Sequence, residues 1–457
     1  MRQLPQLNDM VSVGDLTRLN QALRKAAVGY QTSAVPSGDS LSPLVPQSIE
    51  GTLTSATFTM KELALWPAIP KTSVTNTVHE YNVIKSHGLD LDPFISEGGA
   101  GVLNLSEYSR EFLKIKFMAE RRSVTDVATL VNILGSNPSA IAEETERGTL
   151  SLMQKVEYQL WHGNEDMNSL GFDGIFKQIE DAAGDNITDL AGEELTPDAL
   201  QDILAQTTAA PNFGRPDCIY VEPRVYSSLI QQTVNYGRHD QMSSSNGTLT
   251  FGVSQLAINS PLGPVPVKSA PFLYTSNKAP AASSGHSVTA AVISAGPAMA
   301  GTGGFASADI GTYYYKIVPV VNEKGYGAAV TSGAAAVATA GHKVTITMSD
   351  VTEHSYYRVY RSEKDAADAS NCTWIMDVKK TASAVTLIVD DNSARTKTSK
   401  VLIAQHDPGV FQFVRMLDFL RRPLAEVDTQ RPFLLMLFGS PVVKVPSKLA
   451  MLKNVGS

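Results

Sequence analysis

From about Ala279 the chain changes character, and its earlier pattern resumes only after about residue 400. Ala/Ser/Gly-rich segments flank residues 310–391, which read as short strands punctuated by turn signals: TYYYKIVPVV, KVTITM, YYRVYRS, CTWIMDV and AVTLIVD. Val344, Ile346 and Met348 alternate with Thr345, Thr347 and Ser349, the period-two pattern of a strand with one buried face. Asn322-Glu323-Lys324-Gly325 reads as a turn between two such strands. This spacing predicts an all-β sandwich over residues 281–400. The mixed α/β segments on its two sides complete one another. The sandwich is therefore read as an insertion into a host domain, which is tolerated where chain ends lie at the surface.

The rest of the chain is ordered as a series of surfaces. Residues 1–60 mix Gln, Ser, Thr, Pro and Leu, with one helix expected at Val13–Ala27. Such an arm cannot form its own core, and the cheapest surface to hold it is an adjacent subunit. Residues 72–118 predict a long β-ribbon. In its return arm Leu113, Ile115 and Phe117 are expected on one face, Lys114 and Lys116 on the other. The tip, GLDLDPFISEGGAG, carries Phe94 and Ile95. A two-stranded ribbon is marginal alone, and its edges invite another chain. An ordinary hairpin on its own domain is the alternative.

Asn137-Pro138 predicts an N-cap and first helical residue, with Glu143, Glu144 and Glu146 favourably placed in the early turns. The stripe Leu150, Met153, Val156, Leu160 predicts a helix of about 24 residues, weakened at Gly148 and stopped at Gly163. Residues 195–230 read as helix, loop, the buried strand Cys218–Val221, then a second helix. A polar loop, Asn235–Gly252, follows. After the insertion, Val410–Leu420 is apolar and aromatic, and Arg431–Val455 reads as strands closing the interrupted domain.

Charge and motifs narrow the function. The net charge of −7 argues against a free nucleic-acid binder with a basic face. Residues 137–210 hold fifteen Asp/Glu against three cations, a balance of −12, which leaves +5 elsewhere; complementary contacts between copies are one reading, a solvated helix face the other. Two cysteines, Cys218 and Cys372, lie far apart, which fits a reducing compartment. Met1–Tyr30 has no export-signal core, and no apolar run is long enough to span a membrane. None of the eight histidines has metal-site spacing, and Gly301-Thr302-Gly303-Gly304 lacks the Lys-Ser/Thr of a phosphate loop. There is no nucleophile elbow. Glu143 and Glu144 are adjacent and point to different sides of a helix. No catalytic residue, metal or cofactor is expected.

The order of arm, extended ribbon, long helix and α/β body resembles the major capsid proteins of tailed bacteriophages. That resemblance implies an α+β, Hong Kong 97-like capsid fold carrying an immunoglobulin-like or fibronectin-like insertion, suggested by YYKIVPVVNEKGYG and YYRVYRSEKD. It implies an N-terminal arm (1–60), the E-loop ribbon and start of the P-domain (61–136), and the spine helix with more P-domain (137–194). It further implies an A-domain (195–280), the insertion (281–400), and a return of A- and P-domain (401–457). Residues up to about 430 are expected with the A-domain and the last strands with the P-domain.

The implied role is a non-enzymatic shell subunit assembling in the host bacterial cytoplasm into the virion capsid. Hexamers and pentamers of this chain would enclose double-stranded DNA, with a portal and a separate scaffolding protein as partners. The insertion would project outward toward decoration proteins or surface glycans, and its deletion is expected to spare the shell. No covalent cross-link is expected. Contact candidates between copies are Phe94, Ile95, Arg110, Lys114, Lys116, Arg121, Arg122, Glu143 and Glu144, the acidic helix meeting the basic ribbon or Arg121-Arg122 of a neighbour. Two other readings stay open: an encapsulin-like compartment, and a hydrolase with a carbohydrate-binding β-module.

Overall fold

The computed structural model describes residues 59–456 apart from 89–93, 95, 100–102, 131–138, 183, 185, 237–255, 274–278, 281–292, 301–302, 322–324, 350–354, 382–384 and 427. The arm, the turn at 322–325 save Gly325, most of the loop after residue 235, and the Asn137-Pro138 cap therefore lie outside the described residues.

A four-stranded sheet carries the body, in the order Lys71–Ser73, Phe411–Pro423, Gln430–Val443, Lys116–Thr125. The second and third strands form a long antiparallel hairpin, and Lys116–Thr125 pairs along it from Lys116↔Gly439 to Thr125↔Gln430. Across this sheet lies the long helix Ala140–His162, with Ser139 as its N-cap residue and Glu143 in its first turn. It ends at Gly163, whose N–H reaches the Gln159 carbonyl at 2.8 Å. Its buried face is Leu152, Met153, Val156, Leu160 and Trp161. Leu150 is only half-buried, so the expected stripe is rotated. The spacing i, i+1, i+4, i+8 follows the 3.6-residue period more closely than a stripe begun at residue 150. Burial of these five side chains contributes on the order of 10 kcal/mol. Gly148, expected as a weak point, is a contact point. A Cβ there would come within 2.6 Å of Leu435 Cδ1 and 3.3 Å of Arg122 Cγ, so its absence lets helix and sheet approach closely.

The ribbon consists of Val78–Ser86 and Glu107–Lys114, antiparallel. It does not run unbroken through residue 118. At Ile115 the strand ends, and Lys116 begins the sheet strand. The buried Ser440 hydroxyl spans the break, donating to the Lys114 carbonyl (2.8 Å) and accepting from the Lys116 N–H (3.1 Å). The alternation carries through the break. Ile115 packs with Leu113, Val414, Val442 and Phe438, and Phe117 meets the same Phe438, so Leu113, Ile115 and Phe117 share one face as expected, Phe117 at its open end and 59% exposed. Lys116, Met118, Glu120, Arg122 and Val124 lie on the other face and turn toward the helix.

One buried carboxylate ties the entering chain to the helix. Glu157, fully buried, accepts from the backbone N–H groups of Ala64 (3.2 Å), Leu65 (2.8 Å) and Trp66 (2.8 Å), and from Trp161 Nε1 (3.3 Å). Burial pushes its pKa up against the pull of these donors. The turn so held delivers Leu65, Trp66 and Ile69 into the main core, where Trp66 meets Phe413 edge-on at 5.0 Å.

A six-stranded sheet has a separate core, in the order Ile187–Asp189, Ala450–Val455, Ser399–Ala404, Cys218–Val221, Gly263–Ser269, Ala257–Ser260. The helices Pro197–Thr208 and Pro223–Tyr236 belong to this part, the first capped by Thr196 Oγ1 accepting from Ala199 N–H at 3.2 Å. The strands after residue 400 are divided differently from the expectation. Ser399–Ala404 and the last strand, Ala450–Val455, both enter the six-stranded sheet, and the hairpin 411–443 between them enters the four-stranded one. The chain crosses between sheets at 405–410 and returns at 444–449. Both cysteines are free and buried.

Between Gly263–Ser269 and Ser399–Ala404, which flank Cys218–Val221 in one sheet, the chain makes its long β excursion. Tyr315–Val321, Tyr356–Arg361 and Thr373–Lys379 form the backbone of one sheet; Ile293–Ala300, His342–Ser349 and Val385–Asp390 form another. Together they enclose a core that includes Phe305, Tyr315, Ile317, Ile346, Met348, Tyr357, Val359 and Ile388.

Replacing Glu157 with Ala strands the buried N–H groups of Leu65 and Trp66, at about 1–3 kcal/mol each, and the partly buried one of Ala64. Thermal unfolding of Glu157→Ala is expected to show a loss of at least about 2 kcal/mol; an unchanged midpoint would contradict the anchoring role.

Candidate assembly surfaces

The ribbon's two faces differ. Cross-strand partners share a face, so His79, Tyr81, Val83, Ser109, Glu111 and Leu113 lie together, and Tyr81 and Leu113 pack with Ile115, Val414 and Val442. The opposite face pairs Val78 with Lys114, Glu80 with Phe112, Asn82 with Arg110 and Ile84 with Tyr108. Four large apolar side chains stand in water there: Val78 (46% exposed), Ile84 (54%), Tyr108 (68%) and Phe112 (68%). Leu103 and Leu105, just before the return strand, are more exposed still. Exposed apolar side chains grouped on one ribbon face make it a candidate interaction surface, since single exposed residues are ordinary and groups of them are not.

The expected contact residues fall into two groups. Arg110, Lys114 and Arg121 are exposed; Arg110 approaches Glu80 at 3.7 Å. Phe94 is 86% exposed at the tip, and Ile95 lies outside the described residues. The others are engaged within the chain. Lys116 turns inward to Glu165 (2.8 Å) and the Ser169 carbonyl (2.9 Å). Arg122 binds Glu120 (2.6 Å) and approaches Glu144 (3.6 Å), and Glu143 binds Arg147 (2.8 Å). The pairing expected between the acidic helix and a neighbour's Arg122 is therefore made inside one subunit, where the short helix-to-sheet distance at Gly148 favours it. Glu120 is its centre, binding Arg122, Lys155 (2.8 Å) and Ser151 (3.0 Å). Burial raises the Glu120 pKa, but these donors outweigh it and hold the carboxyl below its ordinary value.

On the sheet face away from the helix, Phe117 packs edge-on against Phe438 (4.8 Å), and exposed Arg121 and Arg422 flank Leu434. Reading residue types alone overlooked Val78, Ile84, Tyr108 and Phe112. The available signal was the alternation of 78, 80, 82 and 84, hidden because its apolar members are spaced by polar ones.

One arrangement has the look of chemistry. Tyr220 Oη lies 2.9 Å from His406 Nε2, and His406 Nδ1 lies 2.6 Å from Asp217. Tyr220 has no exposed surface, and burial raises its pKa strongly. No substrate can reach that hydroxyl. The chain of bonds holds the crossing at 405–410 to the strand Cys218–Val221. Among the described residues no group of His, Cys, Asp or Glu is placed to hold a metal ion, and no helix is long and apolar enough to cross a membrane.

Because Glu120 titrates below its ordinary value in the fold, its stabilising contribution is present above that value and lost as pH falls through the folded pKa. Thermal unfolding between pH 7 and 3, on the ordinary carboxylate scale, is expected to show Glu120→Gln less stable at neutral pH and flatter on acidification. A variant curve parallel to the parent's would contradict this.

No family model matches the chain. It is 23% identical over 431 residues to the putative major capsid protein of Enterococcus phage phiEF24C, with 89% of each chain covered. It is 21% identical over 427 residues to the major capsid protein of Staphylococcus phage K, again with 89% of each covered. Among solved structures, it is similar to that of Gordonia phage Cozz (TM-score 0.46, 12% identity, 93% and 97% covered) and to the holo-SrpI encapsulin complex of Synechococcus elongatus (TM-score 0.42, 13% identity, 92% and 97% covered). The ribbon, the long helix and the sheets follow one another in the order expected, and along nine-tenths of its length the chain is similar to major capsid proteins of phages.

Proposed function

We propose that the chain is the repeating subunit of an icosahedral phage head shell enclosing double-stranded DNA. The observation that carries this reading is the outward ribbon face, Val78, Ile84, Tyr108 and Phe112, which no part of the same chain covers among the described residues. A neighbouring copy is the partner that satisfies it. Burying what remains exposed of those four side chains is worth on the order of 5 kcal/mol per subunit before the costs of association. Glu80, Arg110 and Lys114 punctuate the row and set its register rather than its strength. In a ring of five or six the contact is heterologous and closes on itself. Each subunit both gives and receives a ribbon, so modest contacts sum to a stable shell.

Within this reading the partners are other copies, a portal and a separate scaffolding protein, and assembly takes place in the host cytoplasm, where two buried free thiols suit a reducing medium. The excursion over 281–400 is read as an immunoglobulin-like insertion. Its outer sheet exposes Leu387 and Val389, a surface for decoration proteins or glycans. The curated relatives are capsid proteins, which leaves the hydrolase reading without support and the cargo compartment as the weaker alternative.

The test pairs Tyr108→Ser with Phe112→Ser and, separately, Arg110→Glu with Lys114→Glu. Both double variants are expected to give folded subunits with the parent's melting behaviour but no closed particles by negative-stain microscopy and sedimentation. Intact shells from the Tyr108/Phe112 variant would overturn the reading.

A further inference from the structure

The β excursion is seated on the body at both of its ends. At its entry, the guanidinium of Arg358 (strand Tyr356–Arg361) makes two bonds to Asp377, at 3.0 and 3.1 Å, and lies over the rings of Tyr326 and Trp374. Trp374 donates to the same carboxylate at 2.9 Å and presents its ring edge-on to His162, the last residue of the long helix, at 5.9 Å. His162 packs against Tyr158 one turn earlier and bonds the Phe272 carbonyl at 2.9 Å, where the chain leaves the six-stranded sheet. Tyr158 is half-buried beside Arg358, and desolvation raises its pKa.

At the exit, Asp309 binds Arg395 (2.9 Å) and Asn392 (2.9 Å). Asn454, in the last strand of the six-stranded sheet and itself at φ 50°, accepts from the Arg395 N–H (3.1 Å) and donates to the Ser393 carbonyl (2.9 Å) and Asp189 (2.9 Å). Its side chain thus bridges two strands of the body to the exit of the module. An appendage selected only to project from a shell needs a tether, not two polar and aromatic seats. The Arg358–Asp377 pair is largely shielded from water, and such a pair is costly to break because removal of one partner strands the other.

We infer that the inserted module is an internal strut, holding the C-terminal turn of the long helix and the edge of the six-stranded sheet in fixed relation, so that the subunit's own stability depends on it. This runs against the expectation that deleting the module spares the shell. The strut acts within one chain, so it stands whether or not the outward ribbon face is the contact between copies.

Hydrogen–deuterium exchange of the full-length protein tests it with three module-side variants. Arg358→Met breaks the entry seat, Asp309→Asn weakens the exit seat, and Leu387→Ser on the exposed outer sheet is the control. Arg358→Met is expected to speed exchange of the helix amides at 153–163 by at least about tenfold. Asp309→Asn is expected to do the same at 187–189 and 450–455, and the control to do neither. If Arg358→Met unfolds the chain, Arg358→Lys, which keeps charge but loses the two-bond geometry, gives the milder readout at the same helix amides. Faster exchange confined to residues 293–390 in both seat variants would overturn the strut.

Discussion

Glu157 is the hinge of the account. A carboxylate with no exposed surface is stable only if its oxygens are fully occupied, and here they are filled by three consecutive backbone N–H groups and an indole. That arrangement fixes where the chain coming from the N-terminal region meets the long helix. With Leu65, Trp66 and Ile69 in the core, Lys71–Ser73 is aligned to pair with Phe413–Arg415, and the ribbon is launched from the sheet edge a few residues later. The helix in turn sits close on the sheet because Gly148 has no side chain. Much of the subunit's geometry, including the direction of the ribbon, follows from these two contacts.

The ribbon then presents one face inward and one outward. The break at Ile115, bridged by Ser440, lets the inner face follow the sheet while the outer face remains apolar and open. A surface of this kind is a liability on a monomer and an asset in an assembly. The charges that looked available for pairing between copies are partly consumed at home, Lys116 on Glu165 and Arg122 on Glu120 and Glu144. In the proposed assembly, the contact between copies rests more on apolar area than the distribution of charge suggested.

Elements with a strong local signal were legible in the sequence: the long helix, the alternating strands from 310 to 391, the ribbon, and the Thr196-Pro197 helix start. What was not legible depends on tertiary partners. The break at Ile115 is bridged by Ser440, more than three hundred residues away. The entry of Ala450–Val455 into the six-stranded sheet depends on pairing with Ser399–Ala404 across an intervening hairpin. Glu157 reads as one more acidic residue on a helix until the turn at 64–66 is placed above it. The candidate contact residues were chosen by charge, and charge cannot distinguish an arginine facing water from one facing a glutamate of its own chain. The apolar row 78, 84, 108 and 112 spans two strands and becomes visible only through their register.

Hydroxyl-radical footprinting of Tyr108 and Phe112, on assembled particles and on the same particles dissociated, is the most direct measurement. If the outward ribbon face seats on a neighbouring copy, both rings are shielded in the particle and reactive after dissociation, while Phe117 on the sheet provides an internal comparison. Equal reactivity of Tyr108 and Phe112 in the two states would mean that the ribbon face remains in water and that the shell is held together elsewhere.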